Sequence, residues 1–204
     1  MSVGRRAVIL GGTVMLINYT AVADQVEDNH GPFGLIYGSS SDIVRQNGVS
    51  LEPWSAKSDW GKTFVASGLS KVLSDMEPPV LSFGFKDSLW RVAAAGKTVE
   101  SDPYGNRVVA RYQELAVSLS QRYGYGMETD TRDHEMWKEP NEYVMSIKQG
   151  RASRYTEFKT PGIYVELSIR AVDNNSAFYL IIFKSKAGAR EFENDKEQNE
   201  KSAL

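Results

Sequence analysis
The densest run of chemically capable side chains is Asp130, Asp133, His134 and Glu135. Several carboxylates on one loop can hold a hard cation such as calcium, and two close acids can divide general acid and general base work. Asp130, Asp133 and Glu135 are the candidate ligands. Their order does not follow an EF-hand loop, and such a charged stretch ahead of a helix is ordinarily a solvated turn, so the reading is of no metal.

Other motifs stop short of a site. Ser39, Ser40 and Ser41 follow Gly38 between a strand-like run and a helical one, where an activated serine could stand. A nucleophile elbow needs glycine two residues to either side of the serine; around Ser40 those positions are Gly38 and Asp42. Capping of the next helix by a serine oxygen explains the run better. Gly61-Lys62-Thr63 and Gly96-Lys97-Thr98 carry the end of a phosphate loop without its beginning, because the earlier glycine is replaced by Ala56 and Arg91. Gly124-Tyr125-Gly126 has Thr129 where a dinucleotide loop needs its third glycine. No cofactor is expected.

Trp54 and Trp60 remain, in a polar connection that also holds Lys57 and Asp59. Long connections carrying aromatic residues often bind partners, and tryptophan dominates many interface energies. These four residues are the candidate binding group. The opposing reading folds both tryptophans back onto the edge of a sheet.

The elements that must position these residues follow from composition and period. The 204 residues suit one domain or two small ones, and 41% apolar with 25% charged residues excludes fibrous and wholly disordered classes. There is no cysteine, so disulfides, thiolate zinc and a cysteine nucleophile drop out. Residues 1–23 read as a cleavable signal peptide: Arg5 and Arg6, an uncharged stretch from Ala7, then Ala21-Val22-Ala23 before Asp24. Its removal takes two positive charges from a chain of formal charge −2 and leaves −4. That acidity, without a basic face, argues against nucleic acid. A periplasmic or secreted protein with no membrane span after cleavage is the expectation.

In the mature part, residues 24–32 are a polar lead-in, 33–190 a single domain with possible halves 33–100 and 101–190, and 191–204 a polar tail. Phe33 to Tyr37 reads as a first strand, Ile43 to Asn47 as a short helix, Thr63 to Val65 as a strand and Val80 to Ala95 as a hairpin. Val108, Tyr112, Leu115, Leu119 and Tyr123 share one helical stripe, closed by Gly124. Tyr143 to Gly150 makes a short helix, and Ile163 to Ala171 alternates as a strand with one wet face, ahead of a nearly continuous apolar strand from Ala177 to Phe183. The fold class is α+β, an antiparallel sheet with short helices on one face and two α-β-β units as a possible layout.

The stretch Phe33 to Gly48, with Gly38 opening a serine-capped helix and Gly48 closing it, resembles the start of small exported α/β modules of the β-lactamase inhibitory protein and outer-membrane assembly lipoprotein type. The resemblance covers 16 residues and implies short helices packed on an antiparallel sheet and a non-catalytic role in binding other proteins. The chain lacks the cysteines of both groups. The functional expectation is an exported binding module, an inhibitor, immunity or envelope-assembly factor, whose partner is another protein or an envelope component. A cell-envelope hydrolase using carboxylates and a structural envelope component are the alternatives.

Overall fold
The computed structural model describes residues 29–56, 58–132 and 142–202. The first half runs α1 (Ser41–Gln46), β1 (Ser50–Pro53), β2 (Lys62–Ser67), β3 (Val80–Phe83) and β4 (Leu89–Ala95). The second runs α2 (Asn106–Tyr123), β5 (Met127–Arg132), α3 (Tyr143–Lys148), β6 (Ala152–Lys159), β7 (Ile163–Ala171) and β8 (Ala177–Ser185), followed by α4 (Lys186–Ser202). The strands form one antiparallel sheet in the order β1-β2-β3-β4-β8-β7-β6-β5. Each half therefore opens with a helix and contributes four strands that turn back on one another, with α3 interposed between β5 and β6 in the second, and the two meanders join where β4 pairs with β8. The expected α-β-β layout is a truncated view of this: β1, β5 and β6 are strands that the sequence reading did not find.

Local chemistry explains where the helices begin and end. Ser40 Oγ accepts the Ile43 backbone N–H at 3.3 Å, so the serine run caps α1. Asp102 does the same for α2 from outside it, accepting the N–H groups of Arg107 and Val108 at 2.9 and 3.2 Å. Gly124, at φ 82°, ends α2 in a conformation few side chains tolerate. The stripe Val108, Tyr112, Leu115 and Leu119 is buried against the sheet, and the Tyr112 hydroxyl is satisfied by Thr156 Oγ1 at 2.5 Å.

The core lies between one sheet face and α1, α2 and α3, with Leu81, Phe83, Val92, Phe158, Val165, Leu167 and Ile181 at its centre. The other face carries α4, which packs on β4 and β8. The helices thus occupy both faces, not one. The residues expected to form a polar tail after 190 are the body of α4, held to the sheet by buried Phe192. Phe33 to Tyr37 is not a strand: Pro32 and Gly34 support a single 3-10 turn, and only Ile36 bridges back, to His30. Among the described residues no helix is long and apolar enough to cross a membrane.

Candidate functional site
Trp60 reaches the outer face of the sheet because of the way the β1–β2 connection is closed. The Trp54 N–H donates to the Thr63 carbonyl at 2.9 Å, and Ser58 Oγ accepts the Trp60 N–H at 3.2 Å. Gly61 follows at φ 80°, where a Cβ would collide with the Phe83 carbonyl oxygen, so only glycine lets the connection lie this close to β3. The chain turns there and lays the Trp60 ring beside Trp90, with 6.0 Å between ring centroids.

A bulge supplies the rest. The β3–β4 register shifts between Ser82 and Phe83, whose partners are Arg91 and Leu89. The extra residue, Trp90, falls on the same side as Arg91, while Leu89 and Val92 stay in the core. Arg91 pairs across the sheet with Lys184 of β8. Its guanidinium carbon lies 5.0 Å from the Trp60 ring centroid; Lys184 Nζ lies 5.4 Å from the same ring and 5.5 Å from that of Tyr164. Two cations thus flank one indole, each within cation–π reach.

The pair is poorly compensated. Arg91 is only 9% exposed, and its Nε has no hydrogen-bond partner among the described residues. Burial lowers the Arg91 pKa, and the charge of Glu166 offsets part of this. Burial also lowers that of Lys184, the neighbouring Arg91 adds to the effect, and Glu166 and Glu193 oppose it. Neither cation makes an ion pair within 4 Å among the described residues. Ser82 Oγ, Trp90 Nε1 and Ser168 Oγ on the same face are likewise buried and without a partner among the described residues. An arrangement of two cations, several unmet polar atoms and flat aromatic surface can hold an acidic or polar group presented by a partner.

Of the residues expected to bind, Trp54 and Trp60 are 44% and 40% exposed and Asp59 is exposed; Lys57 lies outside the described residues. The structure brings Trp60 to the cations; among the described residues no ion pair joins Asp59 to them and no cation–π contact joins them to Trp54. Asp130 is not in a loop but on β5, where both its oxygens accept from Arg132 at 2.9 Å. Asp133, His134 and Glu135 lie outside the described residues. Trp90, Arg91 and Lys184 were missed as site residues. The available signal was a cation placed inside each of two largely apolar strands, Leu89–Ala95 and Ala177–Ser185. Comparison of the chain with protein-family models, curated proteins and solved structures returns no match.

Proposed function
We propose that this protein is an exported, non-catalytic binding module that holds an acidic segment of another protein or envelope component against the outer face of its sheet. The observation that carries the reading is the buried Arg91, without an ion-pair partner among the described residues, beside Lys184 under the half-exposed Trp60. Such a group gains when a carboxylate replaces the water it has lost, and tryptophan and arginine are the residues around which interface energy concentrates. The half-buried Val65, Val80, Ala93, Leu180 and Ile182 extend the same face with apolar area. The leader-like residues 1–23 and the likeness of residues 33–48 to exported binding modules point the same way.

The test is capture from envelope extract with the full chain, followed by titration of the captured protein. Trp60→Ala and Lys184→Gln should each weaken binding by about tenfold or more while leaving the melting temperature within a few degrees. Retained binding in both variants, or loss of binding only together with unfolding, would remove this face from the function.

A further inference from the structure
On the opposite face of the sheet, a groove of about 790 Å³ opens between α2 and the two segments 30–35 and 70–73. Ile181 and Phe183 of β8 form its floor, and Leu115, Leu119, Phe33 and Leu73 stand among its walls. The volume lies in the range of small-molecule sites, roughly 300–1,000 Å³. Among the described residues, the ionisable groups lining it other than tyrosine are His30, Lys71 and Arg122, and no acid is among them. Neither Lys71 nor Arg122 has an ion-pair partner among the described residues.

One further detail sets this groove apart from an ordinary packing gap. Phe33 has φ 61° and ψ 20°, a left-handed conformation that is unfavourable for an aromatic residue and persists only where its surroundings enforce it. The strain presents its ring edge-on to Phe183, at 6.0 Å between centroids.

We infer that the groove binds a single-chain amphiphile with an anionic head, of the fatty-carboxylate class, its tail over Ile181 and Phe183 and its head toward Lys71 and Arg122. Apolar length is served by the floor and walls, and the one-sided charge of the rim selects the head. This site is separate from the Trp60 face, and either could fail without the other.

Calorimetric titration of the full chain with dodecanoate below its micellar concentration tests it, with 1-dodecanol as the uncharged comparison. One dodecanoate should bind per chain, with dodecanol weaker by at least about tenfold. The double variant Lys71→Gln, Arg122→Gln should weaken dodecanoate by about tenfold, leave dodecanol unchanged, and remove the salt dependence. Val72→Glu, at a rim position 55% exposed and so tolerant of the change, should repel dodecanoate without altering the melting temperature. Absence of saturable binding, equal affinity for dodecanol, or binding unmoved by either variant would overturn the inference.

Discussion

Asp75, in the connection between β2 and β3, is clasped by Arg111 of α2 through two hydrogen bonds, Nε to Oδ2 at 2.7 Å and Nη2 to Oδ1 at 2.9 Å. The Tyr179 hydroxyl of β8 donates to Oδ1 at 3.2 Å, so one carboxylate ties a loop, a helix and a strand together. The Arg111 hydrogen bonds hold the Asp75 carboxyl below its ordinary 3.8; burial opposes them, and Tyr179 adds to them. A depressed folded-state value means a contribution that is present above the unfolded pKa and is lost as pH falls through the folded one. Because both partners are about a third exposed, Asp75→Asn should cost only about 1 kcal/mol at neutral pH. In urea melts the variant should also lose part of the stability decline that the parent shows below about pH 4. Parallel curves for the two proteins from neutral pH to pH 2 would show that the clasp contributes nothing.

Helix α4 is legible only in part, because a helix that buries one side chain leaves almost no period to read. Its anchor Phe192 is 3% exposed and stacks on Trp90 and Phe85 at 4.8 and 5.4 Å between centroids. Gly188 permits the approach, since a Cβ there would stand 2.7 Å from that of Trp90. Lys86, largely in solvent itself, bridges to exposed Glu191 and to partly buried Asp195, a surface arrangement worth little. Removing the ring in Phe192→Ala should cost about 3 kcal/mol and red-shift the tryptophan emission as Trp90 becomes wet. Unchanged stability and emission would mean that α4 is a solvated tail after all. β5 hid for a related reason: five of its six residues are exposed, as suits a charged edge strand, so no apolar alternation marks it. β7, with one buried face, could be read directly.

For the whole molecule the decisive contact is the β4–β8 pairing, which joins Arg91 through Ala95 to Leu180 through Lys184 and makes one sheet of two meanders. Either half expressed alone would expose a central strand as a new edge, with its unpaired backbone groups and apolar faces. The fragments 29–100 and 101–202, expressed separately, should therefore aggregate or stay unfolded, while the intact chain melts in one transition with fluorescence and circular dichroism coinciding. Two separated transitions, or a soluble folded half, would show that the meanders are independent units.

Short-range physics was written in the residues themselves: the α2 stripe, the serine cap of α1, the hairpin of β3 and β4 and the α+β class all depend on neighbours a few positions apart. The candidate site does not. Arg91 and Lys184 are 93 positions apart in sequence, and Trp60 joins them only because a bulge, a tight glycine and a cross-sheet pairing converge on one face. That convergence depends on strand order and register, which no local pattern encodes, so the chain could announce its elements while the folded sheet alone decided which of its charges would meet around Trp60.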